Sequence, residues 1–407
     1  MRSSLPLAAP ALTSFFSVLV VCSAPAFGQL PAPLCHPVVS DNMMVASAQQ
    51  RYQAGLKAEP PLTDQTDGFA WPDTPIGVIK TDAGYEFFGS DGGLHSHQFW
   101  HGQGYGNGKY GSATRTLGTL DDVVGSAPPV DVSIQANPDP SVNPFYSSYD
   151  YMGGGPVYKL PEGMPGAGNL LMVYHAEIPT LTTQSFYSVL ALAASRDNGL
   201  HWIDLGEIIR VNQAYRADLD GYDIGDQTLA LSPDGQYFYI YFRDWLANGT
   251  THWNNSITLV SVARAPVAAV LADAFGSHPR AAAFQKYYNG SWALEQGLGG
   301  VSTDLNPTAQ YSGELQVAYS SYLHRYQMII GESVLFAYSE SADGLHWANP
   351  VKIYQFQGQP GTYVMPVGAG EDPRILGRQF YIFYTFYPNN GEGWEGASVN
   401  RLTVTCQ

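Results

Sequence analysis

Ser195-Arg196-Asp197-Asn198-Gly199-Leu200-His201-Trp202 and Ser341-Ala342-Asp343-Gly344-Leu345-His346-Trp347 are nearly the same segment written twice. Each follows an alternating apolar run (VLALAAS and VLFAYSES), and each leads into another strand-like run (GEIIRV and VKIYQF). The pattern is strand, tight turn, Trp, strand. Asp and Asn accept backbone N–H bonds across such a turn, and Gly supplies the positive φ that it needs. Internal repetition of a hairpin is the mark of blades or coils.

The rest of the chain agrees with a repeated β architecture. Of 407 residues, 45% are hydrophobic and only 13% charged, so a large core forms readily and disorder is disfavoured. The 43 Gly and 28 Pro imply many turns, and the 27 Tyr, 18 Phe and 8 Trp suit strands and flat, stackable surfaces. A net charge of −16 argues against nucleic acid or an anionic membrane as partner.

Residues 1–28 read as a secretory signal. Arg2 gives the positive end, Leu12 to Cys22 is mostly apolar, and Ala24-Pro25-Ala26 or Ala26-Phe27-Gly28 supplies small residues for cleavage. Val21 is too large for a lipoprotein cleavage box, and no second stretch is long enough to cross a membrane as a helix. The expectation is a secreted or periplasmic monomer. Cys35 and Cys406 then remain, one near each end, and in an oxidising compartment such a pair bonds.

Residues 29–70 have weak periodicity and read as a wrapping arm, with a short helix expected within 38–58. From residue 71 to 407, short strand-like runs recur between Gly, Pro, Asn and Asp, interrupted by one Ala-rich helical segment within 264–286. The runs group. Similar openings occur at Asp73, Gly153-Gly154-Gly155, Asp226, Glu314 and Glu371-Asp372, most followed by an aromatic-rich strand (YEFFGS, LLMVYH, YFYIYF, YQMII, FYIFYT). Five units of about four strands, each too small to fold alone, predict an all-β, five-bladed β-propeller whose ring closes near the termini. In a propeller the first strand of each blade lines the channel, so the acids at these openings converge on one mouth.

With these motifs the chain resembles the five-bladed propeller glycosidases, namely glycoside hydrolase families 43, 32, 62 and 117 and the mannoside phosphorylases of family 130. The resemblance rests on the Ser-x-Asp-Gly-x-x-Trp hairpin at 341–347, its longer form at 195–202, and Glu371-Asp372-Pro373-Arg374-Ile375 with FYIFYT after it. It implies a carbohydrate substrate and hydrolysis by paired carboxylates, with arabinofuranosyl-type linkages as the first expectation. A non-catalytic carbohydrate-binding propeller is the alternative. A phosphorylase would need a cationic phosphate pocket, and a sialidase an arginine triad; 19 Lys and Arg in total count against both. The chain departs from family 43, whose acids sit on the first three blades, because its second opening is Gly-Gly-Gly with Asp150 only nearby.

Glycoside hydrolysis needs two carboxyls flanking the scissile bond, one of them protonated near neutral pH. Glu314 is the expected general acid, since it follows Gly313 and starts an apolar strand. Asp73 is the expected base, with Asp226 and Asp372 orienting the sugar or tuning the acid. Arg374, His175, Glu177, Asp150 and Tyr151 are the expected substrate contacts. Trp71, Tyr222, Trp245 and Trp394 could stack on sugar faces, although hairpin packing uses the same residues. Asp197 and Asp343 read as turn-makers. No cofactor is expected, and no metal ligand is assigned. His95, His97 and His101 beside Asp91 lack tight zinc spacing, but the resemblance allows a channel calcium.

Overall fold

The computed structural model describes residues 33–46, 74–90, 112–123, 125, 130–149, 151–164, 166–180, 186–218, 222–244, 259–292, 298–305, 313–332, 334–357, 361–386 and 398–407. The chain is a five-bladed β-propeller. Blade one is β2 (Gly77–Thr81), β3 (Gly84–Ser90), β4 (Ser112–Gly118) and β5 (Val130–Gln135). Blade two has a divided inner strand, β6 (Tyr151–Gly153) and β7 (Val157–Lys159), then β8 (Leu170–Pro179), β9 (Phe186–Ser195) and β10 (Trp202–Arg210). Blade three is β11 (Ile224–Leu231), β12 (Tyr237–Asp244), β13 (Leu259–Pro266) and β14 (Gln285–Lys286). Helix α1 (Val267–Ala274) follows β13, inside the segment whose alanines predict a helix. Blade four is β15 (Glu314–Ser320), β16 (Arg325–Glu332), β17 (Leu335–Ser341) and β18 (Val351–Gln355).

Blade five corrects the sequence reading twice. Its inner strand is β19 (Gly361–Val367), antiparallel to β21 (Gln379–Phe386), which pairs with β22 (Ser398–Cys406). The Glu371–Arg374 stretch does not open the blade. It forms the turn after β19, where the Gly368 N–H donates to the Pro373 carbonyl, and leads to the two-residue β20 (Ile375–Leu376), parallel to the end of β15. The strand GTYVMPV alternates weakly, whereas the acids beyond it draw the eye. The second correction is at the N-terminal end. Residues 37–46 are not helical but form β1 (Pro37–Ala46), the outermost strand of blade five, antiparallel to β22, and 47–58 of the segment expected to hold a helix lie outside the described residues. Val38, Val39 and Val45 are β-branched, and the open edge of β22 supplies a complete ladder, so pairing overrides the weak helical pattern.

Ring closure is thereby covalent as well as hydrogen-bonded. Cys35 and Cys406 form a disulfide across 371 residues, both cysteines are buried, and His36 and Gln407 exchange backbone hydrogen bonds beside it. Buried Glu340 of blade four accepts the Leu34 and Cys35 N–H groups at 2.9 and 2.8 Å and the Tyr338 hydroxyl at 2.7 Å. A disulfide is compatible with an extracellular protein. Among the described residues no helix is long and apolar enough to cross a membrane.

The twin hairpins join third to fourth strands in blades two and four and pin one blade to the one before it. In each, the Ser hydroxyl accepts the Gly N–H (Gly199 to Ser195 Oγ at 2.9 Å, Gly344 to Ser341 Oγ at 2.8 Å), and each Gly has a left-handed φ, +80° and +78°. Asp197 and Asp343 accept the backbone N–H of His201 and His346, both at 2.9 Å. Burial works to raise the Asp343 carboxyl, but the donors His346, Leu345 and Ser341 outweigh it and hold the group down to about 2. Trp202 then packs edge-on against Phe88 of blade one, with ring centres 5.8 Å apart, and Trp347 against Tyr241 of blade three at 6.0 Å. Both partners lie on the second strand of the preceding blade.

Truncating either wedge should therefore unfold the ring more easily without touching chemistry. Trp202→Ala and Trp347→Ala are each expected to cost about 3–5 kcal/mol in denaturant titrations. Replacing Cys406 by Ser is expected to cost about 2–5 kcal/mol, and reductant should impose the same loss on the wild type only. An unchanged midpoint for Cys406→Ser would show that β1 holds the ring without the bridge.

Candidate active site

Inner strands β7, β11, β15 and β19 all run from one mouth of the ring to the other, so groups at their starts share a mouth. Glu314 begins β15, and the start of β19 supplies its partners. The Thr362 hydroxyl donates to Glu314 Oε1 and the Tyr363 N–H donates to Oε2. Both carboxylate oxygens thus have donors, which favours the ionised form. The β19 ladder shifts register between Thr362 and Met365, and Tyr363 sits there at φ +53°. The bulge turns the amide inward.

Asp226 repeats the device in blade three. It has φ +52° where the β11 ladder shifts register between Gly225 and Thr228. Its backbone carbonyl accepts the Gln316 side chain of β15 at 2.8 Å, which ties blades three and four. Its carboxylate meets Arg243 of β12 at 2.5 Å. Of the five non-glycine residues with positive φ among the described residues, two thus lie at this mouth. A left-handed non-glycine residue costs roughly 1–3 kcal/mol, and such strain gathers at working sites.

Blade two contributes from its second strand. His175 and Glu177 lie on one face of β8, with Nε2 3.2 Å from Glu177 Oε1. The His175 ring meets Tyr151, the first residue of β6, edge-on at 6.1 Å. Blade three lies close by: a Cβ at Gly225 would be in ordinary contact, 3.4 Å from His175 Nδ1 and 3.9 Å from Asp223 Oδ1. Asp223 accepts the Ser188 hydroxyl at 2.7 Å, and that hydroxyl accepts the Ile224 N–H at 2.7 Å.

Electrostatics link these groups into one cluster. Burial, reinforced by Glu314 and Asp223 and opposed by Arg243 and His175, pushes the Asp226 carboxyl up to about 7. Burial also raises Glu177, with His175 opposing and Asp223 assisting. Burial works against the Arg243 charge, but Asp226, Glu314 and Asp223 outweigh it and raise its pKa. Three carboxyl groups (Asp223, Asp226, Glu314) therefore act on one guanidinium, and Glu177 joins them through His175 and Asp223. At neutral pH such a cluster retains a proton while at least one member is ionised, the condition that acid–base chemistry requires.

The structure brings together Glu314, Asp226, His175, Glu177 and Tyr151. It places Asp372 and Arg374 at the other mouth, beyond the end of β19, because the fifth blade starts earlier than the sequence pattern suggests. There Arg374 donates to Asp372 through Nε and Nη2 at 2.8 and 2.5 Å and lies 3.7 Å above the Tyr158 ring. The turn-forming Asp197 and Asp343 end third strands and belong to that far side as well. Asp73 and Asp150 lie outside the described residues, as do Trp71, Trp245, Trp394, Asp91, His95, His97 and His101. Sequence reading missed Asp223, Arg243, Thr362 and Tyr363. Arg243 had a signal, since it interrupts the aromatic strand YFYIYF just before Asp244.

No family profile and no curated protein matches the chain. Solved structures do. A family 117 glycoside hydrolase of the marine bacterium Zobellia galactanivorans aligns with a TM-score of 0.50 at 11% identity, covering 86% of this chain and 88% of that one. The fold is shared with that propeller glycoside hydrolase. An N-acetylgalactosamine deacetylase from F. plautii aligns at 0.47 and 10% identity, covering 90% and 96%. A family 43 glycoside hydrolase, the YxiA protein of Bacillus licheniformis, aligns at 0.41 and 12% identity, covering 83% and 72%. At these identities the likeness is one of architecture.

The raised Asp226 carboxyl has a measurable consequence. An unfolded Asp titrates near 3.9, so between about pH 4 and 7 the folded state binds more protons than the unfolded state, and stability falls as pH rises through that window. Asp226→Asn should flatten the fall. The difference in melting temperature between pH 5 and pH 7.5 is expected to shrink relative to wild type; an unchanged difference would mean that Asp226 is not the group holding the proton.

Proposed function

We propose that the protein is a secreted glycoside hydrolase acting on a neutral saccharide. One observation carries the reading: several blades bring Glu177, Asp223, Asp226 and Glu314 to a single mouth with one arginine among them, and burial keeps part of this set protonated. Glu314, with both oxygens bound by donors, suits the ionised role of base or nucleophile better than the acid role expected from sequence. Glu177 suits the proton donor, because its carboxyl is raised by burial yet keeps some exposure. Asp226, nearly fully buried against Arg243, suits the tuning of its neighbours rather than contact with the leaving group.

In this scheme Glu177 protonates the departing glycosidic oxygen as the bond to the anomeric carbon breaks. Glu314 either deprotonates an attacking water or attacks the anomeric carbon itself. Arg243 is committed to carboxylates of the cluster, so an anionic sugar would meet uncompensated repulsion. That disfavours uronates and sialic acids and favours neutral residues, arabinofuranosides among them. The signal-like pattern of residues 1–28 and the buried disulfide support a secreted enzyme.

The test is release of reducing sugar from a panel of neutral arabinans, galactans and xylans. Glu314→Gln and Glu177→Gln are each expected to lower kcat by about 10²–10⁴-fold while the melting temperature holds. Full activity in both variants would remove the pair as catalysts, and saccharide binding without hydrolysis in the wild type would favour a binding propeller. Thr362→Val should move the acidic limb of the pH–rate profile upward, since a donor to the carboxylate is lost, and Thr362→Ser should restore it.

A further inference from the structure

The Glu371-Asp372-Pro373-Arg374 segment, displaced from the candidate active site, lines a cleft of about 820 Å³ at the opposite mouth. The cleft lies among the ends of β2 and β7 and the turn after β19, so blades one, two and five share it. Its volume falls in the usual range of small-ligand sites, roughly 300–1,000 Å³. Among the described residues the space between the two mouths is narrow. Val78, Val157, Leu229, Val317 and Met365 meet between them around a void of only about 10 Å³.

The polar groups of this cleft are interleaved, and Arg374 among them is held in place. Lys80 pairs with Glu371 at 2.5 Å, Lys159 donates to the Lys80 carbonyl at 3.3 Å, and Asp372 clamps Arg374 through two bonds while the buried Tyr158 ring supports the guanidinium. Asp372 takes two of the five N–H donors that a guanidinium carries. Three cations thus alternate with four carboxylates, beside the apolar faces of Ile79, Leu160 and Pro161. Neither an anion nor a cation is favoured by such a lining. A molecule whose neighbouring hydroxyls each donate and accept, and whose C–H faces are flat, uses all of it.

We propose that this cleft is a second saccharide site, which binds a neutral oligosaccharide without cleaving it and tethers the protein to its polymer. The proposal rests on the carbohydrate reading of the opposite mouth. Its test is electrophoresis of the full chain through gels cast with soluble arabinan, galactan or xylan, with hydrolysis of short soluble oligosaccharides assayed in parallel. At least one polymer should retard the wild type and Glu314→Gln equally. Lys159→Ala and Arg374→Lys should weaken that retardation about tenfold, the loss of one charged hydrogen bond, and leave hydrolysis of short substrates unchanged. Lys159→Ala guards against a folding artefact, because Arg374 also bridges blade five to blade two, and its melting temperature should match wild type.

Absence of retardation by all three polymers overturns the proposal, as does retardation that survives both far-mouth variants. Retardation that depends on Lys159 in a protein without hydrolytic activity sinks the hydrolase reading and leaves the second site standing. Hydrolysis combined with retardation indifferent to the far mouth does the reverse.

Discussion

A propeller ring is held shut where its last blade joins strands from both ends of the ring. Here the N-terminal one is β1, seated on β22 and locked by Cys35–Cys406. Blade five then holds its bulged inner strand against blade four, and the bulge delivers Thr362 and Tyr363 to Glu314. Closure adds to the β15–β20 pairing and the β15–β19 packing that hold blade five on blade four and keep the donors at Glu314. Glu340 strengthens the link, since one buried carboxylate of blade four holds the backbone just before β1.

The candidate active site follows from placing too many carboxyls around too few cations. Burial is the largest cause that raises the Asp226 carboxyl; Arg243 opposes it, and Glu314 and Asp223 add to the rise. The two left-handed residues are the backbone's share of the same arrangement. Asp226 and Tyr363 both sit at register shifts, where an ordinary ladder would turn the donor or the carboxylate away.

The fold was legible because its signals are local. Hairpin turns, alternating strands and aromatic second strands each declare themselves within about ten residues, and the two GLHW segments give the register of blades two and four. The site was legible only in part. Glu314 and Asp226 stand at strand starts and were found by counting blades, and Glu177 was read from the end of an aromatic strand. Arg243 and Asp223 belong to the site through cross-strand pairing and contacts between blades, neither of which has a one-dimensional signature. The count failed at blade five, where Glu371 and Asp372 carried a stronger acidic signal than GTYVMPV carried a strand signal. The strand at 37–46 was missed for a related reason, since its partner lies more than 350 residues away.

That separation sets an order on folding. Blades one to four are made of neighbours along the chain and can assemble by local pairing. The closing step joins the most distant strands of the molecule and carries the largest loop-closure entropy. A chain that has folded four blades still shows the bare edge of β22, a template for any extended segment. The bridge can form only once residues 35 and 406 have been brought together. Until then the exposed edge is where a second molecule can exchange its β1, so the yield of closed monomer should depend on protein concentration during refolding.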